Sequence, residues 1–181
     1  MIPLVWIGKD WFVLSYVRKR RKLKKAEFNS IVSVIKKEEM FRELKNFQHH
    51  NSSIFAHSMS VAWLSYRICR ALNLDFESAA RGGLLHDFFL YDWREYKKDK
   101  SNKNHGRNHP YVALRNASDC FELNEREKDI IVKHMWPKSF KMPKYAESYV
   151  VNVADKVCAA AEFTGYFYGR VRYCLHSGNG R

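Results

Sequence analysis

Apolar residues recur at three- and four-residue spacings along most of the chain, a period that predicts helices. Residues 27–46 carry Phe28, Ile31, Val32, Ile35, Met40 and Leu44 between charged positions. Residues 53–72 repeat the pattern with Val61, Leu64, Ile68 and Leu72, and Ser52 or Ser53 is placed to cap the start. A third helix is expected over residues 76–90; its adjacent Gly82 and Gly83 would let it approach a neighbour closely. Pro110 suits the first position of a helix running to about Phe121. Asn124, with Glu127 three residues later, forms a capping pattern for a helix ending near Pro137. Residues 146–163 make the last clear helix. Extended alternation is confined to ambiguous apolar pieces at the N-terminus, and there is no internal repeat. The expected architecture is an all-α, irregularly packed bundle of about six to eight helices.

Composition narrows this to one ordered domain. The chain has 181 residues, 46% of them hydrophobic and 15% aromatic, too apolar for a disordered polymer. Cys69, Cys120, Cys158 and Cys174 are scattered without a CxxC pair, so a reducing, cytoplasmic compartment is expected rather than a disulfide framework. The expected division is an apolar and basic extension over residues 1–30, the main domain over 31–172 and a frayed tail over 173–181.

The net charge of +13 is partly local: Arg18 to Lys25 reads RKRRKLKK, seven bases in eight residues. Such a run is either a solvated helix end or a contact for an anionic partner. Aromatic residues do not interleave it as in a single-strand platform, so nucleic acid is not the expected partner. Before it, residues 2–17 are strongly apolar but broken by Lys9 and Asp10, and shorter than the roughly 20 residues a span needs. The bases follow the apolar run, the reverse of a signal peptide. A terminal helix or strand packed on the core is expected there; peripheral membrane contact through residues 1–25 is the other reading.

Chemistry concentrates on apolar faces. His57 shares a helical face with Val61, Leu64 and Ile68, at offsets of four, seven and eleven. Alone, such a histidine is more often a satisfied core residue than a ligand. Asp155 lies on the face of Val151, Cys158 and Ala159, where a carboxylate requires a cation, either a basic side chain or a metal. His134 shares a face with Glu127, Ile130 and Ile131; His109 stands directly before Pro110. His86-Asp87 closes the apolar run GGLLHD; adjacent helical residues diverge by about 100°, so both reach one cluster only at a helix end or if the carboxylate bridges two ions. Jointly these residues suit an interior site of imidazole and carboxylate ligands, the set that binds Fe, Mn, Zn and similar ions. The lack of thiolates argues against a purely structural zinc site.

The order His57, His86-Asp87, Asp155, in the contexts FAHSMSVA, GGLLHDFF and VADKVCAA, resembles the HD-domain superfamily of metal-dependent phosphohydrolases. The doublet alone is a weak motif; the three segments in order are a strong one. NHPYVALRNA around His109 and DIIVKHMWP around His134 resemble the extra histidines of the two-metal subgroup, and the run HDFFLYDW resembles a set of small bacterial HD proteins. The likeness spans about residues 45–165 and implies an HD-type helical bundle. It implies one metal held by His57, His86, Asp87 and Asp155, with Asp87 the catalytic carboxylate bridging to a second metal on His109 and His134. His105 competes with His109, which is preferred because it precedes the proline. Several HD enzymes carry Glu or Lys three positions after the HD aspartate; here that position is Leu90, and the next acid is Asp92.

The implied cofactors are divalent ions, two in number, of Fe or Mn, with Mg, Zn, Co and Ni as alternatives. The implied reaction is hydrolysis of a phosphate ester or anhydride, in a nucleotide or related small phosphorylated molecule, by a metal-bridged hydroxide. Candidate phosphate contacts are His49 and His50 in the loop QHHNSS, and Lys156 beside Asp155; Arg81 and Arg94 are weaker ones, and His176 lies in the tail. Two other classes remain open: an HD-fold di-iron oxygenase with the same ligand order, and a non-catalytic module binding through its basic segment.

Overall fold

The computed structural model describes residues 8–49, 52–92 and 105–164, with side chains over 21–48, 52–92 and 106–162. The frayed tail expected over 173–181, residues 1–7, His50, Arg94, Cys174 and His176 lie outside the described residues.

Seven α-helices and one short pair of strands make up the described residues: α1 (Gly8–Lys37), α2 (Glu39–Glu43), β1 (Gln48–His49), β2 (Ser52–Ser53), α3 (Ile54–Ala71), α4 (Phe76–Leu85), α5 (His105–Cys120), α6 (Glu125–Lys133) and α7 (Ala146–Thr164). The all-α expectation holds. Antiparallel β1 and β2 pair Gln48 with Ser53 and His49 with Ser52, just before α3. Among the described residues no helix is long and apolar enough to cross a membrane.

Several helix boundaries differ from expectation: α1 begins at Gly8 rather than at residue 27, α6 ends at Lys133 rather than near Pro137, and three further differences have a local reason. The helix expected over 27–46 breaks at Glu38, whose backbone is extended (φ −62°, ψ 131°). There the apolar spacing slips from Ile35 to Phe41, and the break lets both bury fully. The helix expected over 76–90 stops at Leu85 with His86 as C-cap. Phe88 and Phe89 both bury in the turn that follows, past the helix end. Pro110 lies inside α5 rather than at its start. Near a helix N-terminus proline forfeits only one ladder bond, the one to residue 106, which is a glycine.

Caps follow the sequence closely. Ser53 Oγ accepts from the Ala56 N–H at 3.2 Å, and Asp75 caps α4 through Ser78 N–H at 3.0 Å. Asn124 and Glu127 form the reciprocal capping box of α6. Each such cap stabilises a helix start by about 1 kcal/mol.

α4 is the central helix, packed against α1, α3, α5, α6 and α7. Its two glycines make this possible. A Cβ at Gly82 would stand 2.8 Å from Ile130 Cγ2 of α6, and one at Gly83 would stand 3.3 Å from the Ala62 Cα of α3. The larger apolar cluster joins Phe28, Val32 and Ile35 of α1 to Tyr66, Leu84 and Phe88; a smaller one joins Val61, Cys69, Ala79, Ile130, Val151 and Ala154. α6 is tied to α7 by Asp129, which accepts from Ser148 Oγ at 2.8 Å and the Lys144 N–H at 2.9 Å.

Gly82→Ala should lose stability: overpacking against Ile130 costs about 1–3 kcal/mol, more than the roughly 1 kcal/mol gained in helix propensity. Denaturant unfolding checks this, and a gain in stability would refute the close approach. Asp129 supplies a pH test. Burial pushes its carboxyl up, but Lys133, the Lys144 N–H and Ser148 outweigh burial and hold it below its ordinary value. Its contribution is then complete above the unfolded value of about 3.9 and is lost as pH falls through the lower folded value. The Tm deficit of Asp129→Asn should therefore be largest near neutral pH and shrink in acid; a deficit constant down to about pH 3 would contradict the charge pairing.

Candidate metal centre

Six side chains from five helices or their ends converge. His57 lies in the first turn of α3, and Asp155 midway along α7. His109 is in α5; His86 and His134 are the C-caps of α4 and α6, and Asp87 follows the first of them. Helix ends are suited to this because their last carbonyls lack partners. The ring nitrogen Nδ1 of His86 donates to the Gly83 carbonyl at 2.8 Å, and that of His134 to the Ile131 carbonyl at 2.8 Å. The same device occurs twice: each carbonyl gains a donor and each ring turns its Nε2 inward.

Those atoms form two groups of three, each able to hold a metal ion: His57, His86 and Asp155, and Asp87, His109 and His134. In the first, His57 Nε2 is 3.1 Å and His86 Nε2 3.7 Å from Asp155 Oδ1. In the second, Asp87 Oδ1 is 3.2 Å from His109 Nε2 and 3.5 Å from His134 Nε2. The other oxygen of Asp87, Oδ2, stands 3.5 Å from His86 Nε2 of the first group. One carboxylate thus offers an oxygen to each group. The four imidazoles form a file, His57, His86, His134, His109, with ring centroids 5.5, 4.9 and 4.9 Å apart.

The site is buried, with His57 and His86 0% and Asp87 4% exposed. Burial pushes the Asp87 carboxyl up, yet the facing His86 and His109 outweigh burial and hold it well below the carboxylate range. Asp155 is held down in the same way by His57 and His86. His57 is pushed down by burial but raised to about 10 by Asp155 and Glu162. His86 is pushed down by burial and raised overall by Asp87 and Asp155. His134 falls to about 3, through burial and its neighbours His109 and His86, and so stays neutral.

Two observations fit a metal. His86 Nε2 is fully buried with no hydrogen-bond partner, an arrangement costing about 1–3 kcal/mol. His109 Nε2 and His134 Nε2 approach to 2.8 Å, a distance that requires a proton or a cation between them. Imidazole nitrogens and carboxylate oxygens are the ligand chemistry of Fe, Mn and Zn.

All six residues proposed from the sequence as ligands are brought together. Of the candidate phosphate contacts, Lys156 is half-buried beside the site, its Nζ 3.2 Å from the Asn152 carbonyl and 3.5 Å from that of His134. The backbone of His49 lies in β1, and that of His105 opens α5. Arg81 is engaged elsewhere, by Glu127 at 2.5 Å and the Glu122 carbonyl at 3.0 Å. Leu90 packs against the apolar core.

Sequence reasoning missed Glu162, whose Oε1 lies 2.9 Å from His57 Nδ1. Its signal was available: it follows Asp155 by seven residues, two helical turns, and so shares its face. Asn152 was missed as well; it contacts the turn that carries His134.

Among known families, the model described as HD domain aligns with residues 54–160, more than half of the chain. No curated protein and no solved structure matches. The aligned segment opens at the first residue of α3 and stops two residues before Glu162. Glu162→Gln should weaken metal retention by the His57 group about 10–100-fold, the range for a residue that orients a metal-binding histidine. Chelator competition measures this, and unchanged retention would show that Glu162 does not orient His57.

Proposed function

We propose that this chain, which belongs to the HD-domain family, is a metal-dependent phosphohydrolase that cleaves a phosphate ester or anhydride in a nucleotide or related small phosphorylated molecule. The observation that carries this reading is the division of Asp87, one oxygen facing each three-residue group.

His57, His86 and Asp155 would hold one divalent ion and His109 and His134 a second, with Asp87 shared between them. Bound there, such ions supply Lewis acidity, which lowers the pKa of water and offsets charge on phosphoryl oxygens. The chain's own contribution is position and exclusion. The carbonyls of Gly83 and Ile131 fix the tautomers of His86 and His134. Buried packing keeps bulk water from the imidazole file, so each charge there acts at low dielectric. Lys156, with two of its three N–H groups directed at carbonyls beside the second group, has a donor left for a phosphate oxygen. His49 and His50, which precede α3 in the sequence, are assigned as further phosphate contacts. Leu90 supplies no proton, so the leaving oxygen must be activated without an acid at that position.

Asp87→Ala tests the reading. Loss of the shared carboxylate should remove metal retention and lower phosphate release from a nucleotide panel, with Mn²⁺ or Fe²⁺ added, by more than about 100-fold, since Lewis-acid stabilisation is worth several kcal/mol. Activity persisting in that variant would refute it. Oxygen uptake by an iron-loaded sample without phosphate release would assign the site to oxygenase chemistry instead.

A further inference from the structure

α7 serves both groups. It carries Asp155 into the first, and three residues earlier it carries Asn152, which is 4% exposed. Asn152 Nδ2 donates to the His134 carbonyl at 2.5 Å and to the Trp136 carbonyl at 2.7 Å. A carboxamide nitrogen has two hydrogens, so both are committed to the turn that carries His134.

The bond from His134 Nδ1 to the Ile131 carbonyl stays within the end of α6. It orients the ring relative to that helix but does not fix where the helix end lies relative to α7. At this end the short polar tie between the two is Asn152; the Lys156 contact to the same carbonyl is long, at 3.5 Å. A further tie, Asp129 to Ser148, lies five residues before His134, with the Arg126–Glu147 ion pair at 3.4 Å beyond it. It holds the body of α6 on α7 together with Ile130 and Val151.

We infer that Asn152 is the positioning residue of the Asp87–His109–His134 group, setting the end of α6 so that His134 Nε2 faces Asp87 and His109. The inference rests on the reading of those three residues as metal ligands. Without the carboxamide, two carbonyls at a helix end lose their donors and the turn is free to shift. The first group does not depend on that turn, because His57, His86 and Asp155 come from α3, α4 and α7. Removal of Asn152 should therefore separate the two groups rather than dissolve both.

The test compares the wild-type chain with Asn152→Ala and Asn152→Leu, the latter filling the volume without a donor. Mn²⁺ is titrated against a competing chelator, and circular dichroism confirms the fold. The expected result is a second ion weakened by about 10–100-fold in both variants, with the first ion within about threefold of wild type. Equal weakening of both ions, no weakening, or rescue by leucine would overturn the inference. A metal-free readout separates this from failure of the two-metal reading. In imidazole ¹⁵N spectra of metal-free protein, the His134 signals should move in both variants while those of His57 stay. If the wild-type chain takes up fewer than two ions, the two-metal reading fails, and unmoved His134 signals would overturn the role of Asn152 independently.

Discussion

An ionised carboxylate with 4% exposure, enclosed by imidazoles, is costly to bury, and much of the architecture arranges for it. Asp87 sits just beyond the end of α4, where the backbone leaves the helix, so its two oxygens diverge toward separate groups. That position requires α4 to lie at the centre of the bundle. Gly82 and Gly83 allow this by removing the side chains that would hold α6 and α3 away. Close helix approach and the division of one carboxylate between two groups are thus a single constraint seen at two scales.

The supports of the two groups differ in kind. His57 is clamped between carboxylates, Asp155 and Glu162, and is fixed by charge. His134 is neutral and fixed by dipoles, its ring on the Ile131 carbonyl and its own carbonyl on Asn152. The first group is therefore flanked by two carboxylates, whereas the second relies on Asp87 and on geometry. Precise placement at helix ends replaces ligand charge in the second group, the general logic of preorganised sites.

Much of this was legible in the sequence, and the rest was not for identifiable reasons. His57 and Asp155 announced themselves as polar residues on apolar faces, and the ordered segments around His57, His86-Asp87 and Asp155 turned suspicion into a ligand set. The capping box at Asn124 and Glu127 is a local interaction, and local interactions can be read from spacing. The breaks at Glu38 and after Leu85 depend on where Phe41 and Phe88 find core partners, a tertiary matter. Pro110 looked like a helix start because only its own preference was visible, and that preference yielded to the longer helix carrying His109. Glu162 and Asn152 touch no ligand near them in sequence, so spacing made Glu162 visible only in retrospect and Asn152 not at all.

The central claim is that Asp87 is shared between two ions. Anomalous scattering from crystals of the chain purified and soaked with Mn²⁺ tests it directly. The account predicts two peaks, one against His57, His86 and Asp155 and one against His109 and His134, with an oxygen of Asp87 on each. A single peak that leaves Asp87 unligated, or no peak within this group of residues, would contradict it.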